Sequence, residues 1–127
     1  MSEQELPPWF KEQITRLNQL QQNLQTILMQ KQQIEVELVE TEKALEELKK
    51  ISAEDAVYKT AGPVLIKANR DDVVKELEEK KELSNTRVMV LSKQETRVKE
   101  NLKEIQTKID EMIRGAGMGP GTKPRAE

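Results

Sequence analysis

The sequence predicts a mainly α chain, a long antiparallel helical coiled-coil hairpin with one central β-hairpin that assembles into an intersubunit β-barrel. Three observations carry this. Apolar residues recur in heptads along two stretches, Gly and Pro are confined to three places, and a compact core lacks material. Of 127 residues 35% are hydrophobic, 35% charged and 2% aromatic, against about 45 to 50% apolar and about 25% charged in ordinary globular domains. Only Trp9, Phe10 and Tyr58 are aromatic.

Residues 1–8 read as a flexible N-terminus that ends at Pro7-Pro8. In arm 1, residues 9–51, Phe10, Leu17, Leu24, Lys31, Leu38 and Leu45 recur every seven positions, with Gln13, Leu20, Ile27, Ile34, Thr41 and Leu48 three places behind. Nine of these twelve seam positions are apolar, and charged flanks such as Glu46 and Lys49 complete the pattern of a helix that needs a partner helix. At about 1.5 Å per residue an arm reaches roughly 65 Å.

Residues 52–70 change character. Val57-Tyr58-Lys59-Thr60 and Val64-Leu65-Ile66-Lys67 hold the β-branched and aromatic residues that strands favour, and Ala61-Gly62-Pro63 supplies turn chemistry. Ser52 with Asp55 forms a local turn, while Asn69, Asp71 and Asp72 cap the next helix and place negative charge at its positive end. Apolar side chains fall on both faces of the second strand, and an isolated two-stranded hairpin is marginal in water. Either hairpins of several copies pair through their open edges into a shared sheet or barrel, or the hairpin folds down onto its own coiled coil.

Arm 2, residues 71–114, repeats the heptads with Val74, Lys81, Val88, Glu95, Leu102 and Ile109 in one series and Leu77, Ser84, Leu91, Val98, Ile105 and Met112 in the other. Doubling back about Gly62 brings the polar interruptions near one another, Lys31 toward Glu95 and Thr41 toward Ser84, as polar layers that pin alignment. Residues 115–127, with four glycines and two prolines, read as a flexible tail.

Most chemistry is excluded. With no Cys and no His, thiolate metal sites, thiol nucleophiles and imidazole catalysis are absent. The formal charge of −2 offers no basic field for nucleic acid. The acidic N-terminus and the lack of a long apolar run give neither a signal peptide nor a membrane span. Glu46-Glu47 and Glu78-Glu79 point in different directions on a helix and read as solvated faces. The glycine run from Gly115 follows a helix, precedes none and lacks a Gly-Lys-Ser/Thr ending, so it is no phosphate loop. No cofactor, metal or enzymatic activity is expected.

At the outer ends, Leu6, Trp9, Phe10, Ile14 and Leu17 meet Leu102, Ile105, Ile109, Met112, Ile113 and Met118. The seam cannot absorb all of them, so an open, adaptable apolar grip is expected there, with fraying and plain seam packing as the alternative.

The run Asp55-Ala56-Val57-Tyr58-Lys59-Thr60-Ala61-Gly62-Pro63-Val64-Leu65-Ile66-Lys67, followed by Asn69-Arg70-Asp71-Asp72 and preceded by Glu42 to Leu48, resembles the beta-class prefoldin family of the archaeal type, over roughly residues 6 to 117. The resemblance implies a cytoplasmic hexamer of two alpha-class and four beta-class subunits, with hairpins joined in β-barrels and helical arms surrounding non-native protein. It implies capture of unfolded polypeptides without ATP and their delivery to a group II chaperonin. Carried over by position, Val57, Tyr58, Val64, Leu65 and Ile66 would serve assembly, and Trp9, Phe10, Ile14, Ile109, Met112 and Ile113 client contact. The Pro7-Pro8-Trp9-Phe10 start is bulkier than the family pattern. The competing expectation is a coiled-coil scaffold or tether, oligomerised through the hairpin and indifferent to unfolded protein.

Overall fold

The structure, a computed structural model, describes residues 6–116. The outermost stretches expected to be flexible, together with Met118, lie outside the described residues. Helix α1 spans Pro8–Lys49, strands β1 and β2 span Val57–Ala61 and Val64–Ala68, and helix α2 spans Arg70–Ala116. The chain divides into two compact units, one made of residues up to Leu28 with those from Lys93 onward, the other of Met29–Ser92.

Helix α1 begins at Pro8, one residue earlier than the expected arm, because proline at the first helical position forfeits only an N–H that has no partner there. The Pro7 carbonyl accepts the N–H groups of Phe10 at 3.0 Å and Lys11 at 3.1 Å, and the first turn holds no acidic residue. The helix ends at Lys49, before the expected Ile51, because a side-chain turn competes for the backbone. Ser52 N–H donates to Asp55 Oδ2 at 2.8 Å, Asp55 N–H donates back to the Ser52 carbonyl at 3.0 Å, and Glu54 N–H donates to Ser52 Oγ at 3.2 Å.

Asn69 caps α2. Its Oδ1 accepts the N–H of Asp72 at 3.1 Å, its carbonyl accepts that of Val73 at 3.0 Å, and Asp71 and Asp72 occupy the first turn. The helix therefore starts at Arg70 and runs through Gly115, which was expected to open the tail. A terminal glycine costs at most about 1 kcal/mol relative to alanine, too little to stop a seam that continues through Met112.

All twenty-four seam positions read from the heptads are buried or half-buried. In the Met29–Ser92 unit, Leu45 and Leu91 are buried, as are the seam hydroxyls Thr41 and Ser84. Lys81 buries part of its stem while its ammonium lies 3.5 Å from Glu42, a partly exposed pair worth under about 1 kcal/mol. In the other unit, Glu95 keeps its carboxylate on a shielded seam position and pairs with Lys99 one turn on, at 2.8 Å.

One contact fastens the two helices of the Met29–Ser92 unit beside the hairpin. Arg70 Nε donates to the Leu48 carbonyl at 2.8 Å, and its Nη1 lies 2.8 Å from Asp71. The last carbonyls of α1 have no intrahelical donors and carry partial negative charge, so a half-buried guanidinium satisfies both deficits. Arg70→Met keeps the stem and loses the donors. It is expected to cost about 1.5 to 3 kcal/mol locally, measured as faster amide exchange through Leu45–Ile51, while amides near Leu17 are unaffected.

Candidate functional site

Two places concentrate uncovered apolar side chains with a structural reason to be uncovered. The first is the hairpin. Its antiparallel register pairs Val57 with Ala68, Tyr58 with Lys67, Lys59 with Ile66, Thr60 with Leu65 and Ala61 with Val64. Gly62 takes φ 62° and Pro63 follows, the sequence of φ values in a two-residue turn whose first central residue must be left-handed, a state that glycine alone adopts without strain.

Because side chains alternate, this register puts Val57, Lys59, Ala61, Val64, Ile66 and Ala68 on one face and Tyr58, Thr60, Leu65 and Lys67 on the other. The first face turns toward its own helix. Val57 is buried, and Lys59 Nζ lies 3.0 and 3.2 Å from the carboxylate oxygens of Glu76 in α2. On the second face Tyr58 is 58% and Leu65 69% exposed, and Val64 and Ile66 beyond Val57 are exposed as well. Four of the five residues assigned to assembly are thus open to a partner. Val57, the fifth, is buried within its own chain. Among the described residues the sheet has two strands, so each keeps an edge whose backbone groups have no strand partner among those residues.

The second place is the free end, in the unit that contains both outer helix ends. Phe10 and Ile109 are only 7% and 8% exposed. They form a core with Ile105, against which Ile14, Leu17, Leu20, Met112 and Ile113 pack. The open grip expected from sequence is therefore largely closed upon itself, since seam neighbours such as Ile14 and Ile113 also reach the core. Leu6 and Trp9 are the exceptions, 37% and 48% exposed, and Trp9 is set edge-to-face on Phe10, with ring centroids 5.9 Å apart and planes at 87°. That geometry suits the ring quadrupoles.

Among the described residues no three acidic side chains gather as a metal site, and no helix is long and apolar enough to cross a membrane. Sequence reasoning missed the Lys59 to Glu76 link and the Arg70 to Leu48 link, 17 and 22 residues apart in the chain, since neither follows from helix or strand periodicity.

A family model described as prefoldin subunit matches residues 11–116. The chain is 43% identical over 109 residues to prefoldin subunit beta of Archaeoglobus fulgidus, covering 86% of this chain and 94% of that one. It is 35% identical over 111 residues to prefoldin subunit beta of Pyrococcus furiosus, covering 87% and 95%. Among solved structures, the prefoldin beta subunit from Thermococcus strain KS-1 superposes with a TM-score of 0.77 at 37% identity, covering 88% of this chain and 98% of that one.

Proposed function

The chain belongs to the prefoldin family, whose members are chaperone subunits and whose beta subunits form hetero-oligomers with other prefoldin subunits, and from that premise we propose that it captures unfolded polypeptides without ATP and delivers them to a group II chaperonin. It works within a cytoplasmic hexamer of two alpha-class and four beta-class subunits. The observation that carries this reading is the hairpin, where Tyr58, Val64, Leu65 and Ile66 are exposed beside two open strand edges. Pairing those edges with neighbouring hairpins into β-barrels covers both at once and makes a platform.

Client contact falls to the free ends. Trp9 offers the exposed surface, Ile14, Met112 and Ile113 offer partly covered edges, and Phe10 with Ile109 form the floor beneath. Burying one large side chain is worth about 1.5 to 3 kcal/mol before ordering costs, so one end binds weakly. Several ends on one platform share an effective concentration, and avidity exceeds single-arm affinity by about 10² or more when they engage together. Weak contacts in number give capture that stays reversible without nucleotide hydrolysis.

The sealing of Phe10 and Ile109 favours a second reading, a coiled-coil tether whose ends are merely packed. Removing residues 1–14 and 109–127 separates the two. Under the chaperone reading the full-length assembly suppresses aggregation of a diluted denatured protein without nucleotide, and the trimmed assembly keeps its number of subunits but loses suppression. Equal aggregation with and without full-length protein supports the tether.

A further inference from the structure

Closing the hairpin with a two-residue turn decides which of its backbone groups point outward. Such a turn joins Ala61 to Val64 by a hydrogen bond. Hydrogen-bonded pairs then alternate along the observed register, so Lys59 with Ile66 and Val57 with Ala68 also bond to each other. Tyr58 and Thr60 therefore turn their N–H and C=O groups outward along the edge of β1, and Leu65 and Lys67 do the same along the edge of β2. Both edges carry the donors and acceptors of a further strand, and among the described residues no third strand meets either.

The side chains beside those edges discriminate between partners. Each strand has one lysine and no acidic residue, Lys59 in β1 and Lys67 in β2. Residue 59 is the middle of Val57–Ala61, so two β1 edges meeting antiparallel over their whole length put Lys59 of one copy directly across from Lys59 of the other. Like charges directly opposite destabilise a strand pair, and the exposed Glu76 carboxylate 3.0 Å from Lys59 offsets only part of that. Sliding the register parts the two lysines at the cost of a shorter paired stretch. Two β2 edges set Ile66 across from Ile66, which is favourable, but a dimer made so is left with two β1 edges that resist each other.

Unlike edges meet without this conflict. Lys59 then stands across from Val64, Ile66 or Ala68 and Lys67 across from Tyr58 or Thr60, according to register, and none of these is charged. They are the kinds of pair the hairpin already makes internally, where Tyr58 stands opposite Lys67 and Lys59 opposite Ile66. Resting on the assembly half of the proposed function and not on client capture, we infer that the β1 edge of one copy of this chain pairs with the β2 edge of a second copy, head to tail. Each copy then covers both of its edges through one repeated interface, and a stagger between successive hairpins lets the row curl toward a barrel.

The chain has no cysteine, so introduced disulfides report the pairing directly. Hydrogen-bonded residues of neighbouring antiparallel strands lie about 5.5 Å apart at Cα, within reach of a disulfide. Full-length chains carrying one cysteine each are mixed in twos and oxidised, one of the two bearing a mass tag. Tyr58→Cys or Thr60→Cys mixed with Leu65→Cys or Lys67→Cys samples unlike edges at each register. Tyr58→Cys with Thr60→Cys samples β1 against β1, and Leu65→Cys with Lys67→Cys samples β2 against β2. The best unlike-edge mixture is expected to yield at least about fivefold more mixed dimer than either like-edge mixture. Equal yields, or a like-edge mixture in the lead, overturn the inference and leave hairpin assembly standing. No mixed disulfide from any mixture, with sedimentation still showing an oligomer, overturns hairpin assembly as well. A monomer at micromolar concentration overturns pairing with a second copy and leaves the hairpin to the alpha-class partner. Circular dichroism matching the parent verifies the fold of each variant.

Discussion

Leu65→Asp is expected to yield a chain whose helices form and whose assembly fails. Leu65 lies on the hairpin face away from α2 and is the most exposed of the hairpin's four open apolar residues, so the substitution is expected to disturb little within the chain. In a shared sheet it forfeits about 1.5 to 3 kcal/mol of burial and buries an unpaired carboxylate at several kcal/mol more. Even 3 kcal/mol raises the concentration needed for association by about 10² at each interface. Sedimentation at micromolar concentration measures this, beside circular dichroism unchanged from the parent. Val39→Asp, on an exposed position of α1, is the control and is expected to leave the mass unaltered. An unaltered mass for Leu65→Asp itself would place assembly elsewhere.

Trp9→Ala and Phe10→Ala are adjacent changes with opposite signatures. Trp9 contributes little to the closed end beyond its edge contact with Phe10, so its removal is expected to leave thermal stability within about 1 kcal/mol of the parent. Under the proposed function, suppression of aggregation is expected to drop by about 10² or more, because each arm loses its share and the losses multiply across arms. Phe10→Ala opens a cavity in the core it shares with Ile105 and Ile109. In a full core that costs about 3 to 5 kcal/mol, and less beside a helix end, where fewer neighbours line the cavity. Its mark is rapid amide exchange at Phe10–Leu17 and Ile105–Ile109 while the hairpin stays protected. Suppression that survives Trp9→Ala would move client contact off the aromatic.

The seams were legible because a seven-residue repeat is a statement about one face of one helix, and no tertiary detail is needed to read it. Every heptad position from Phe10 to Met112, polar ones included, is sheltered. The hairpin was legible for a similar reason, since Gly62-Pro63 can form few turns and that turn fixes the register of the residues around it. What escaped were the contacts that depend on how one element leans on another. The strand pattern said that Val57 and Tyr58 face opposite ways, but which of them meets α2 depends on the hairpin's tilt, held by Lys59 against Glu76. Sequence likewise counted Ile14 and Ile113 as surplus apolar surface, because a heptad diagram has no place for neighbours that wrap around the last layer of a seam.

The two helix starts differ in what holds them. Asn69, Asp71 and Asp72 secure α2, whereas α1 opens on the Pro7 carbonyl with no acidic residue in its first turn. Warming is therefore expected to loosen the first turn of α1 before that of α2, seen as earlier amide exchange at Phe10 and Lys11 than at Asp72 and Val73. Under the proposed function, such an end would offer more apolar surface at the temperatures that unfold other proteins.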